Sequence, residues 1–223
     1  MPLDPSRYSP VMCLTRDGLG LSHAAQAARL CSAGALWIQL RMKGAAYGEW
    51  VAEATATAAV CRDYGAVLVV NDSVEVALAS GADGVHLGSL DGEWRGARAR
   101  IGEHRILGGT VNNMEDARRA AEAGCLDYAG VGPLRFTETK GNLSPVLGLA
   151  GVGALLAQLG KIPSWVVGGV EAADIPGLRG AGAAGVAVSS ALYRDDRIEA
   201  NLRAFVDGWN RVATRVPAHL SHP

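Results

Sequence analysis

Two cations and an amide alternate along Gln39-Leu40-Arg41-Met42-Lys43, directly after the apolar Leu36-Trp37-Ile38. In an extended segment Gln39, Arg41 and Lys43 share one face, and Ile38, Leu40 and Met42 the other. Inward-facing cations are costly unless an anion meets them. The trio therefore implies either a multiply charged ligand or a salt bridge to a neighbouring carboxylate. Two carboxylates follow other apolar runs, Asp72 after Leu68-Val69-Val70-Asn71 and Asp91 after Gly84-Val85-His86-Leu87-Gly88. Each alone could cap a helix. As a pair without soft ligands they suit Mg2+, which takes oxygen donors and is usually shared with substrate phosphates.

The stretch Tyr128-Ala129-Gly130-Val131 runs into Gly132-Pro133, then into a loop with the hydroxyls of Thr137 and Thr139 and the ammonium of Lys140. Hydroxyl donors and a charge just past a strand suit a phosphorylated ligand. Three other places share that character. Gly108-Gly109-Thr110 ends a strand in a hydroxyl. Gly168-Gly169 exposes backbone N–H groups, and Val188-Ser189-Ser190 leads into a helix start. His86 is a lone strand-end histidine with no second His placed to join it, and reads as a structural hydrogen-bonding residue.

Positioning these groups together requires their strands to end on one rim. Strand candidates are Val11–Thr15, Leu36–Arg41, Ala66–Val70, Gly84–His86, Ile106–Gly109, Tyr128–Val131, Ser164–Val167 and Gly185–Val188. Helical patterns alternate with them over Ser22–Ala33, Tyr47–Tyr64, Val74–Ala79, Glu93–Gly102, Met114–Ala123, Gly151–Leu159, Ala172–Gly180 and Ala191–Val212. Such alternation indicates a parallel sheet with right-handed crossovers. Eight units in 223 residues fit a minimal (β/α)8 TIM barrel, with a doubly wound open sheet as the alternative. The expectation is a single domain over residues 1–223, its core about 8–213, with looser termini at Met1–Arg7 and Pro217–Pro223. Gly34, Gly81, Gly124 and Gly182 recur at helix ends, where a left-handed residue turns the chain into the next strand.

The formal net charge is −1, which gives no basic field for nucleic acid or an anionic membrane. No stretch approaches about 18 uninterrupted apolar residues, and the start lacks an apolar leader, so a cytoplasmic protein is expected. Cys13, Cys31, Cys61 and Cys125 are scattered and read as reduced, mostly buried thiols.

Taken in order, QLRMK at 39–43, ND at 71–72, GADGVHLG at 81–88 with Asp91, GVGPLRFTETK at 130–140, GG at 168–169 and GVAVSSA at 185–191 resemble the thiamine phosphate synthase family over nearly the whole chain. The resemblance implies a Mg2+-dependent transfer. An aminopyrimidine methyl diphosphate loses pyrophosphate through a cation-like state, and the ring nitrogen of a thiazole phosphate replaces it. It also implies roles. Gln39, Arg41 and Lys43, with Asn71, Thr110 and Lys140, would hold the pyrimidine diphosphate, and Arg41, Lys43, Thr110 and Lys140 would carry the catalysis. Asp72 and Asp91 would bind Mg2+. Thr137, Thr139, Gly169, Ser189 and Ser190 would hold the thiazole phosphate.

The chain departs from the family pattern at Thr110, where Ser is common, at Phe136, where Pro is frequent, and at Gly141-Asn142, where a Lys and an Asp are common. The run Leu143–Leu149 resembles a variant branch of the same family. The partners implied are phosphorylated small molecules, with a homo-oligomer left open. Alternatives are the related thiazole tautomerase, which has a His following its fifth strand, in the neighbourhood of Asn112 here, and a non-catalytic barrel that binds a phosphorylated ligand. A sugar-phosphate isomerase would need a placed acid–base pair, and the sequence offers only His86.

Overall fold

The computed structural model describes residues 8–88, 91, 93–136 and 145–213. The apolar runs form β1 (Val11–Leu14), β2 (Trp37–Leu40), β3 (Val67–Asn71), β4 (Gly84–Leu87), β5 (Ile106–Val111), β6 (Tyr128–Val131), β7 (Ser164–Val167) and β8 (Gly185–Val188). All pair in parallel and in sequence order, and β8 returns to β1 to close the barrel. The closed (β/α)8 barrel replaces the open-sheet alternative. Between the strands lie α1 (His23–Ser32), α2 (Tyr47–Asp63), α3 (Val74–Ser80), α4 (Trp94–Ile101), α5 (Met114–Ala123), α6 (Gly148–Leu159) and α7 (Ile175–Gly180), with α8 (Ile198–Ala213) last.

The helix expected from Gly151 begins three residues earlier, at Gly148, and two expected helices are broken. The stretch expected as one helix from Ala191 to Val212 is a 3-10 segment, Ser190–Asp196, followed by α8. Asp195 and Asp196 both take φ of 54°, which a continuous helix cannot hold. The expected Ala172–Gly180 helix likewise starts with a 3-10 turn, Ala172–Asp174, before α7. Three strands run further than expected: β3 takes in Asn71, β4 Leu87 and β5 Val111, so Asn71 and Thr110 belong to the barrel wall. Gly81 and Gly124 take left-handed φ of 69° and 62° as the caps of α3 and α5. The termini expected to be loose, Met1–Arg7 and Pro217–Pro223, lie outside the described residues.

Side-chain alternation gives the barrel two packing layers. Ile38 and Leu40 join the outer core under the helices, with Met42 packed against it. Met12, Leu14, Trp37, Val69, Ile106, Tyr128, Trp165 and Ala187 fill the inside. Trp37 meets Trp165 and Tyr128 edge to face at centroid distances of 4.8 and 5.1 Å. Glycines opposite make room for these rings. A Cβ on Gly108 would overlap the Tyr128 ring, and one on Gly185 would overlap Trp165. Gly108→Ala is therefore expected to destabilise by about 1–3 kcal/mol, read as a lower urea midpoint at unchanged slope.

Carboxylates seal the amino end of the barrel. Asp83 accepts from Leu68 N at 2.8 Å, and Asp127 accepts from Leu107 N at 2.8 Å. Asp127 is also paired to the buried Arg98. The Asp of the GADG motif thus serves the fold.

Candidate active site

A cavity of about 620 Å3 opens at the carboxyl ends of the strands, lined by residues from all of them. Gln39, Arg41, Asn71, Thr110, Gly169, Ser189 and Ser190 all face it. Lys43, Asp72 and Asp91 gather at the rim between β2, β3 and β4 instead. Thr137, Thr139 and Lys140 lie outside the described residues, as do Gly141 and Asn142.

The rim cluster is built tightly. Asp72 takes a left-handed φ of 68°, sparsely populated for a residue with a Cβ, while its N–H donates to His86 O at 2.7 Å. Neither aspartate caps a helix: Ser73 caps α3, and Glu93 precedes α4. Asp72 is ion-paired with Lys43 and shares a hydrogen bond with Asp91. Asp91 accepts from Gly88 N at 2.8 Å. Burial acts to raise the Asp72 carboxyl, but the Asp91 hydrogen bond and Lys43 outweigh it and hold the group below its ordinary range. Burial and the adjoining Asp72 push Asp91 up. The salt-bridge alternative read from the sequence is therefore realised for Lys43.

Among the described residues no group of three His, Cys, Asp or Glu could hold a metal by itself. A divalent cation shared with phosphate oxygens needs only one or two carboxylates. Gly88 lets the Asp91 carboxylate approach the backbone: a Cβ there would stand 2.5 Å from Asp91 Oδ2 and 3.9 Å from Asp72 Oδ1. Two hard carboxylate donors side by side at the rim fit Mg2+ in their chemistry.

Inside the mouth a polar chain crosses the barrel. His86 Nδ1 lies 2.9 Å from Tyr128 Oη, and its Nε2 lies 2.9 Å from Thr110 Oγ1. Gln39 bonds Tyr128 and donates to Met12 Sδ at 3.3 Å. Burial raises the Tyr128 phenol, which stays un-ionised. His86 thus has the structural hydrogen-bonding place expected of it. The sequence reading missed Tyr128, whose inward position on β6 was the available signal.

The segment carrying the cations is held by the loop after β1, also missed. Thr15 Oγ1 accepts from Arg41 N at 3.1 Å and lies 2.7 Å from His23 Nδ1. Asp17 accepts from Lys43 N at 3.2 Å, and its other oxygen lies 3.2 Å from His23 Nε2. Short polar side chains of one loop thereby fix the backbone of Arg41 and Lys43.

On the opposite side, Gly168 and Gly169 take φ of 94° and 63°. A Cβ on Gly168 would stand 2.6 Å from Pro133 Cβ, so glycine is needed there for space as well. Arg135 ties this turn down, donating to Gly169 O at 3.0 Å and gripping Asp174 with both terminal nitrogens at 2.5 Å. That grip holds the Asp174 carboxyl below its ordinary range. Arg194 grips Glu171 in the same two-pronged way. Asn112 stands after β5 and donates to Gly132 O.

Fold and mouth together define a (β/α)8 barrel that gathers cations, paired carboxylates and hydroxyls at its carboxyl end. Comparison with known proteins is more specific. The family model for thiamine monophosphate synthase matches residues 11–192. A thiamine-phosphate synthase of Bacteroides fragilis is 42% identical over 185 residues, covering 81% of this chain and 90% of that one. One from Flavobacterium psychrophilum is 36% identical over 167 residues, 73% of this chain and 81% of its own. The solved thiamine phosphate pyrophosphorylase from Pyrococcus furiosus superposes with a TM-score of 0.82 at 27% identity, over 93% of this chain and 98% of that one. The chain belongs to the thiamine monophosphate synthase family, and its activity is that of a transferase.

Proposed function

We propose that this barrel condenses 4-amino-2-methyl-5-(diphosphooxymethyl)pyrimidine with 4-methyl-5-(2-phosphooxyethyl)thiazole, releasing pyrophosphate and thiamine phosphate. The observation that carries the reading is the Asp72–Asp91 pair beside Lys43, at the rim of a cavity lined by Arg41, Asn71 and Thr110. Departure of pyrophosphate needs its growing charge neutralised and the incoming nitrogen held close, not a strong base.

Arg41 and Lys43 bind the diphosphate, their backbone steadied by Thr15 and Asp17. Gln39 and Asn71 orient the pyrimidine end, and Thr110, held by His86, offers its hydroxyl to the same ligand. From the sequence, Lys140 joins the diphosphate set, and Thr137 and Thr139 join the thiazole phosphate set. Gly169, Ser189 and Ser190 receive the thiazole phosphate at the far wall. Asp72 and Asp91 would hold Mg2+, which when bound neutralises charge on the departing pyrophosphate. Met12, Tyr128 and Trp165 give the cavity large nonpolar surfaces on which the ring substrates can pack.

A His just after β5, in the neighbourhood of Asn112, would have favoured the tautomerase, and the carboxylate pair has no use in that reaction. Among the described residues no helix is long and apolar enough to cross a membrane. The four cysteines are free, which suits a reducing cytoplasm.

The test is pyrophosphate release that requires both substrates together with Mg2+, and stops on chelation. Release without the thiazole phosphate would contradict the reading. Arg135→Ala is expected to raise KM for the thiazole phosphate about 5- to 20-fold, because the Gly168-Gly169 turn loses its tether. KM for the diphosphate should stay within about twofold in the same steady-state assay.

A further inference from the structure

We propose that Arg16, in the loop after β1, is the cation that receives the phosphate of the thiazole substrate, in a clamp with Ser189 and Ser190. The inference rests on the two-substrate reading above and adds a binding residue to it. β1 neighbours β8 in the closed sheet, with Cys13 opposite Val188, so the residues just beyond the two strands meet on one wall. The Arg16 backbone is clamped on both sides by one buried amide. Its N–H donates to Gln26 Oε1 at 2.9 Å, and its carbonyl accepts from Gln26 Nε2 at 2.8 Å. Gln26, fully buried on α1, thereby fixes where the Arg16 side chain departs.

The guanidinium reaches across to β8, where Nη1 donates to Ser190 Oγ at 3.3 Å. Its Nε is buried and finds no partner, and Ser189 Oγ is in the same condition. Both residues line the cavity. Buried polar atoms without partners are rare in folded proteins. Two on one wall of one cavity, both able to donate, are the arrangement an acceptor-rich ligand would complete.

Charge points the same way. A phosphate monoester brings about two negative charges near neutral pH. Of the three arginines lining the cavity, Arg194 is taken up by Glu171, and Arg41 follows β2 in the segment that also carries Lys43. Gly168, Gly169 and the serines of the far wall are neutral. Among the described residues Arg16 makes no ion pair, so it is the cation that this wall can offer. A planar guanidinium also matches two phosphate oxygens at once, which an ammonium cannot do.

The test is direct binding by calorimetry, without Mg2+ or the second substrate, so that no turnover is needed. The ligands are the thiazole phosphate and its dephosphorylated alcohol. The unaltered protein should prefer the phosphate. Arg16→Gln should weaken the phosphate about 10- to 100-fold and leave the alcohol within about twofold. Arg16→Lys keeps the charge and the stem but not the fork, and should fall between, which guards against a loss caused by misfolding. Phosphate affinity within threefold of the unaltered protein in both variants would overturn the role of Arg16. An unaltered protein that does not distinguish phosphate from alcohol would instead overturn the substrate reading, and this inference with it.

Discussion

Asp72→Asn and Asp91→Asn proteins are each expected to lose about a thousandfold in Mg2+-stimulated kcat while remaining folded. The magnitude is that of removing one of two charged oxygen donors proposed to hold a cation, which would contribute several kcal/mol to a charge-developing step. The fold should survive for local reasons. Asn tolerates the left-handed conformation that Asp72 adopts at φ 68°. In the Asp91→Asn protein the new side-chain amide oxygen could still accept from Gly88 N. A thermal midpoint within a few degrees of the unaltered protein, measured beside the rate, separates chemistry from unfolding. Either variant retaining full activity at saturating Mg2+ would dismiss the metal assignment.

Arg41→Ala should raise KM for the pyrimidine diphosphate about 10- to 100-fold, the usual effect of losing a charge-assisted hydrogen bond to phosphate. KM for the thiazole phosphate should move far less, because that substrate is proposed to sit against the wall formed by β7 and β8. The contrast matters more than the size of either change. Arg41 and Arg16 line the same cavity from neighbouring loops, so exchanging the substitution should exchange the substrate affected. Equal losses for both substrates in Arg41→Ala would contradict the division of the mouth into a diphosphate side and a monophosphate side.

The barrel was legible because its signals are local. Short apolar runs, helical stretches between them and glycines at helix ends repeat along the chain, and each β–α unit is complete within a few dozen residues. The rim positions of Asp72 and Arg41 were legible for a related reason, since a charge directly after an apolar strand lies at the rim of any such barrel, and Asp91 follows β4 within four residues. The Gln39–Tyr128–His86–Thr110 chain was not. Its members are brought together by closure of the barrel, with His86 and Tyr128 lying 42 positions apart. The Thr15–Asp17–His23 group and Arg16 escaped notice because nothing in a short polar loop announces which later loop it will touch. The break ahead of α8 was hidden by uniformly helix-compatible residues, with the left-handed Asp195 and Asp196 as the physical cause.

The most direct measurement is a product balance on the purified protein, supplied with both substrates and Mg2+ and followed by phosphorus NMR. One pyrophosphate and one thiamine phosphate should appear for each pair consumed, with neither formed when a substrate or the metal is withheld. Pyrophosphate accumulating without the joined product, or both substrates persisting unchanged, would contradict the assignment of this mouth to a coupling reaction.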